Sequence, residues 1–446
     1  MVASKELIDA IVGVWKIRPP GPESLTKSPA LIRLFEVCKA DYPDQGIGVG
    51  PGWAITTALR SLGMPCELPP DHCNLALPAE EAAQRLDDAF RATSFRQRHL
   101  APLDLADEFP DLDFGSAKVR TFSPDELREV FDASRLKRCY PARDFDASAL
   151  SQFRWIVVDE DVPVEKTAEV RNLPFFFETT DQDFGRIVPH EGRLSPQLEA
   201  AIFFLALAPW EEWLHYPSIG RSGFRVPWSY TVNEDLFVRV APPPAADTLS
   251  WEWKLFHNGH GEEEEIEVPV VAELKEGCLA ELRRWDQSAW QSLEHARTTP
   301  LFETPIEHFF IRALMAEKID EFIAYMTAIE AAIGLYGDYK AAARSTQDPH
   351  GKMPATEKMK YRLVGLLNDL SAWNDYETLF DIRSFYLHGR RMQPISTDEQ
   401  VLARSLARRV IEALIKAAGG PISLRETFLD DLLARGKALR NPSLGL

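Results

Sequence analysis

The sequence predicts a multidomain α+β protein, with an N-terminal helical and mixed α/β region followed by a C-terminal all-α helical bundle. The first observation behind this is size. The chain has 446 residues, more than one ordinary core accommodates. The second is composition: apolar residues make up 45% and charged residues 26%, as in globular proteins and unlike disordered chains. The third is a change of pattern along the chain. Short helices separated by turns fill 1–110, strands and helices alternate over 111–290, and capped helices follow one another over 291–446.

Charge is unevenly spread over these regions. The formal net charge is −18, yet residues 291–446 hold 20 Lys and Arg against 20 Asp and Glu, so the deficit lies upstream. An acidic surface repels phosphate backbones, which makes the upstream regions a poor candidate for non-specific nucleic-acid binding and leaves the bundle permissive. The start, MVASKELIDAIVGVWK, has no cleavage-site pattern. The longest apolar run, from Ala200 to Ala208, falls short of the roughly 20 residues that span a bilayer. The expectation is a cytoplasmic protein with no membrane partner. Five cysteines at irregular spacing, Cys38, Cys66, Cys73, Cys139 and Cys278, read as reduced, mostly buried thiols. Cys38, Cys66, His72 and Cys73 match no usual zinc spacing, so neither a metal nor a cofactor is expected.

In the first region, Asp44 to Trp53 is glycine-rich but lacks the strand, helix and Lys-Ser/Thr context of a phosphate loop, and Pro51 removes a donor. It reads as a turn. In the second, Ser123-Pro-Asp-Glu126 is a capping box opening a helix through Phe131. Phe153 to Val158, Trp228 to Val232 and Leu236 to Val240 read as strands, and Trp251 to Phe256 with Ile266 to Val271 as a hairpin. The hairpin tip, His257 to Gly261 followed by four glutamates, reads as a solvated loop. Ser195-Pro196 opens an apolar helix ended by Pro209.

The bundle begins with Thr304-Pro305-Ile-Glu307, a capping box for a long helix with the stripe Met315, Ile319, Phe322, Met326, Ile329 and Ile333, ended by Gly334. Helices over about 357–370 and 372–388 follow. Thr397-Asp-Glu-Gln400 is read as the next capping box, for a helix ending at Gly419-Gly420-Pro421. Ser423-Leu-Arg-Glu426 opens a last short helix. One-sided stripes joined by short connections make an up-and-down bundle.

The third bundle helix carries the chemistry. Leu379, Ile382 and Tyr386 form its stripe, Arg383 lies at the stripe's edge, and His388 follows just before a helix-ending Gly389. An imidazole can take a proton near neutral pH, and a guanidinium can hold a phosphate and the charge that develops on it. A second Arg-to-His spacing, Arg344 to His350, lies in a polar loop where nothing would fix the side chains. On an ideal helix residues five apart point about 140° away from each other. Arg383 and His388 therefore converge only if the helix ends at His388, which Gly389 permits. A purely structural alternative pairs Arg383 with Asp381 or Glu377.

Two stretches, Phe322 to Gly334 (FIAYMTAIEAAIG) and Leu379 to Gly389 (LFDIRSFYLHG), resemble the HEPN superfamily, with the Apea-like branch nearest in pattern, over roughly residues 300–440. The resemblance implies a HEPN-type bundle that forms a homodimer, each copy giving an Arg and a His to a shared cleft. It implies a metal-independent endoribonuclease in which Arg383 and His388 act on the scissile phosphate, with Glu330 orienting one of them. Ser384 stands where Asn is often found, a shorter group with fewer hydrogen bonds. Arg390 and Arg391 are expected to bind flanking RNA phosphates. The resemblance also implies a role in bacterial defence against phage, with a phage or host trigger acting on the upstream regions. A non-catalytic HEPN scaffold and a ligand-sensing protein are the alternative readings.

Overall fold

The computed structural model describes residues 2–18, 25–45, 52–173, 194–257, 262–339, 353–387, 389, 393–422 and 424–440. Four helices come first: α1 (Lys5–Trp15), α2 (Pro29–Asp41), α3 (Trp53–Ser61) and α4 (Ala79–Arg91). Leu7, Ile11, Leu34, Leu59 and Leu86 close a small core of their own between them. Of the expected turn at Asp44 to Trp53, residues 46–51 lie outside the described residues.

A five-stranded antiparallel sheet follows, in the order β2-β3-β4-β1-β5. Its strands are β1 (Ser94–Leu103), β2 (Leu112–Phe114), β3 (Ala117–Thr121), β4 (Arg154–Pro163) and β5 (Tyr230–Asn233). The interior strand β1, between β4 and β5, was not expected, and the sheet begins before the change of character placed near residue 110. Its register with β4 sets Leu100 opposite Val157 and Ala101 opposite Ile156. Alternation then sends Leu100, Trp155, Val157 and Tyr230 into one core and Ala101, Leu103, Ile156 and Val158 into another.

Leu236 to Val240 forms no strand. Asp235 accepts a hydrogen bond from the Phe237 amide at 3.0 Å, turning the chain. The Arg135 guanidinium then takes carbonyls a neighbouring strand would have used, those of Asn233, Asp235 and Val238. The Ser123 capping box forms with both reciprocal bonds. The hairpin is β6 (Trp251–His257) with β7 (Glu263–Pro269), Trp251 opposite Pro269; residues 258–261 of its tip lie outside the described residues.

Helix α5 (Pro196–Ala206), capped by Ser195, is apolar around its whole circumference from Ala200 onward. Such a helix belongs inside a protein, and α5 packs on β4 on one side and on the bundle on the other. One core therefore runs from the sheet through α5 into the bundle. A fully buried ion cluster crosses the same junction. Glu211, on the one-turn helix Trp210–Trp213, accepts from Arg404 at 3.0 Å and Arg408 at 2.8 Å, and both Glu211 and Arg404 are 0% exposed.

The bundle contains α6 (Gln287–Arg297), α7 (Ile306–Met315), α8 (Lys318–Ile333), α9 (Ala355–Leu367), α10 (Ser371–Leu387), α11 (Thr397–Ala418) and α12 (Arg425–Arg440). The long first helix expected from the continuous stripe is two helices. The chain breaks at Ala316, which is extended, and Lys318, whose φ is 57°. A continuous helix would hold Phe310 and Tyr325 about 22 Å apart, whereas the break folds α7 onto α8 and brings their rings to 5.5 Å. The capping box expected at Thr304 also does not form. Its hydroxyl donates to the Ala331 carbonyl at 2.8 Å, and Glu307 pairs with Arg297 at 3.0 Å. The box of α11 belongs to Ser396 and Glu399, one residue earlier than expected. The last helix, α12, is 16 residues long and not short, and Ser423 lies outside the described residues. Helices α9 and α12 approach backbone to backbone: a Cβ at Gly436 would stand 1.9 Å from the Tyr361 carbonyl oxygen.

Candidate functional site

Glu330 and Arg383, taken from two separate stretches of sequence, meet in the bundle. The Arg383 guanidinium lies 3.0 Å from the Glu330 carboxylate, with side-chain exposures of 24% and 14%. Glu330 sits one turn before the end of α8, where unpaired carbonyls make the potential unfavourable to an anion. Those carbonyls are taken by arginines from other helices. Arg425 donates to Ala331, Ala332 and Gly334, and Arg362 to Ile333 at 3.1 Å. Burial pushes the Glu330 carboxyl above the ordinary range, and the charge of Arg383 pulls it back.

Arg383 therefore does not enter the surface pairs offered as its structural alternative. Glu377 is bound by Lys360, and Asp381 is exposed. The Arg383 Nε is buried and finds no partner among the described residues. Ser384 is half-buried beside it. Helix α10 ends at Leu387 and Gly389 takes the left-handed conformation with φ of 62°, so the helix stops where convergence of Arg383 and His388 requires it. His388, Arg390 and Arg391 lie outside the described residues, as do Arg344 and His350.

On the same turns of α10 as Arg383, but not lined by it or by Glu330, a groove of about 430 Å³ opens toward the starts of α8 and α11. Ile319, Ile382, Phe385, Tyr386, Ile395 and Gln400 line it. A wider cleft of about 770 Å³, at the junction of α5, α6 and α11, includes Trp285, His295 and Lys416. Among the described residues no three His, Cys, Asp or Glu side chains are grouped to hold a metal ion, and no helix is long and apolar enough to cross a membrane. Cys38, Cys66 and Cys278 are buried thiols.

Sequence reasoning missed the Glu211, Arg404 and Arg408 cluster. Its signal was present: two arginines four apart among the apolar positions of α11, and paired glutamates between tryptophans in Trp210-Glu-Glu-Trp213. Charges set in apolar runs are buried only when paired. No family model, no curated protein and no solved structure matches this chain.

Proposed function

We propose that the protein is a metal-independent endoribonuclease of the HEPN type, acting in bacterial anti-phage defence, with a bundle that pairs as a homodimer. The Arg383–Glu330 ion pair is the observation that supports this most. It joins the two stretches in which the resemblance was read, and it leaves the Arg383 side chain 24% exposed. In this reading Arg383 holds the scissile phosphate and Glu330 fixes its direction. His388 takes the proton of the ribose 2′-OH. The 2′-oxygen attacks the adjacent phosphorus, the bond to the 5′-oxygen breaks, and that oxygen leaves with a proton. The products are a 2′,3′-cyclic phosphate and a 5′-hydroxyl, so only RNA can be cut. Ser384 steadies the Arg383 side of the site, and Arg390 and Arg391 hold flanking phosphates. The sheet and N-terminal helices, joined to the bundle through Glu211 and Arg404, carry the response to a trigger.

The second reading is a HEPN scaffold without catalysis. It is favoured by the same ion pair, since a guanidinium bound to Glu330 is already partly satisfied. Incubating the full chain with total RNA separates the two. The ribonuclease reading predicts fragments that persist in EDTA and disappear in Arg383→Ala. RNA left intact by the wild type, or cleavage that EDTA stops and Mg²⁺ restores, contradicts it.

A further inference from the structure

We infer that a pocket at the seam between the N-terminal helices and the sheet binds a small sugar phosphate, its phosphate group held by Arg138 and Arg85. The inference is independent of the ribonuclease reading. The pocket encloses about 390 Å³, within the range of sites that take small ligands. Its lining comes from α3, α4, the start of β1 and the short helix Ala133–Cys139, and includes Arg85, Arg135 and Arg138.

Unpaired buried charge carries the argument. Arg138 is 8% exposed and Arg135 5%, and neither forms an ion pair among the described residues. Elsewhere buried guanidiniums meet a carboxylate, as Arg171 meets Asp235, Arg362 meets Asp338 and Arg404 meets Glu211. Arg135 is held by three carbonyls instead. Arg138 makes one bond, from Nε to the Ser61 carbonyl at 2.7 Å. Its two Nη nitrogens have no partner among the described residues, and neither is sealed from solvent. Two such nitrogens can meet two oxygens of one phosphate. The arginine's stem lies against backbone: a Cβ at Gly63, where φ is 82°, would stand 2.8 Å from its Cδ.

Burial lowers the basicity of both guanidiniums; at Arg138 the charges of Arg85 and Arg135 add to this, and Asp132 opposes it. A phosphate at Arg138 supplies the countercharge whose lack is costly in a buried site. Arg85, on α4, is the more exposed second cation, and its pair with Glu81 at 2.7 Å uses one Nη only.

Three carboxylates in the lining decide what accompanies the phosphate. Asp132 accepts from the Arg135 amide at 3.2 Å and the Ser134 hydroxyl at 3.0 Å, both through Oδ1. Asp88 accepts from Gln84 at 2.9 Å, also through Oδ1. Each keeps Oδ2 as an acceptor, and Glu234 is exposed. These groups repel a bare anion but accept from hydroxyls, so the pocket favours a phosphate carried on a sugar over inorganic phosphate.

The test is calorimetric titration of the full chain with ribose 5-phosphate, adenosine 5′-monophosphate and inorganic phosphate. At least one of the two sugar phosphates should bind about tenfold or more tightly than inorganic phosphate. Equal affinity for the two assigns the site to the sugar phosphate alone, and tighter binding of the monophosphate assigns it to a nucleotide. Arg138→Gln should weaken that binding by about tenfold, and Arg85→Gln by about threefold, the loss of charge-assisted hydrogen bonds. Should Arg138→Gln not fold by circular dichroism, Arg85→Gln, on an exposed side chain, carries the comparison. Affinity no greater than that for inorganic phosphate, or affinity unchanged in the folded variants, overturns the inference.

Discussion

Replacing Arg383 by Ala leaves Glu330 half-buried near a helix C-terminus without its cation, and the cost can be bounded from the carboxyl itself. An orphaned carboxylate can always escape by binding a proton. For a group whose ordinary pKa is about 4.5, that escape costs about 1.4 kcal/mol for each pH unit above this value. The penalty is thus at most about 3.4 kcal/mol at pH 7 and about 0.7 kcal/mol at pH 5. Because Glu330 retains 14% exposure, water relieves part of it, and about 2 kcal/mol is expected at pH 7. The sign follows from the direction of the shift. Burial raises the folded-state pKa of Glu330, so its ionisation weakens the folded state as pH rises from the ordinary carboxyl range through the raised value. Arg383 limits that loss, and its removal enlarges it. Urea unfolding of wild type and Arg383→Ala, followed by circular dichroism at pH 7 and pH 5, should therefore show a stability gap that shrinks on acidification. Adding Glu330→Gln to Arg383→Ala should recover much of the gap at pH 7. A gap equal at the two pH values, or a double variant no more stable than Arg383→Ala, would refute the reasoning.

Two further predictions concern the scaffold. Glu211→Gln removes the anion that compensates Arg404 and Arg408 where all three are buried, and it should cost about 3–5 kcal/mol; thermal unfolding followed by tryptophan fluorescence reports it, since Trp210 and Trp213 flank the site, and a loss below about 1 kcal/mol would show that the cluster does not join sheet and bundle. Ser396→Ala should cost about 1 kcal/mol by removing the α11 cap, while Thr397→Ala should change stability by less than about 0.5 kcal/mol; denaturant midpoints that reverse this order would place the cap at Thr397.

Local signals were legible in the sequence where one side chain settles one backbone group. Ser123 and Ser195 cap the helices they announce, and Gly419 and Gly389 end theirs. What was not legible depends on partners distant in sequence. Strand β1 opens with Ser94-Phe-Arg-Gln97, polar but for Phe95, and only its pairing with β4 and β5 makes it a strand. The break between α7 and α8 contains neither Gly nor Pro, and the stripe runs through it; the packing of Phe310 on Tyr325 decides the fold there. Thr304 and Glu307 have the spacing of a capping box but find better partners in Ala331 and Arg297. The meeting of Glu330 with Arg383 was suggested only by resemblance, because periodicity places each residue at the edge of its own stripe and says nothing of the other. The Arg404–Glu211 pair joins positions on opposite sides of the sheet–bundle junction, which no local pattern connects.

The central claim, that His388 moves a proton during RNA cleavage, is tested most directly by comparing His388→Ala with His350→Ala. Both variants are checked for folding by circular dichroism and assayed on one defined RNA with end-group analysis of the products. The account predicts wild-type fragments ending in a 2′,3′-cyclic phosphate. It predicts a fall in turnover of about 10²–10⁴-fold for His388→Ala with RNA affinity nearly unchanged, and wild-type behaviour for His350→Ala. Equal behaviour of the two variants, or fragments ending in a 3′-hydroxyl, would contradict it.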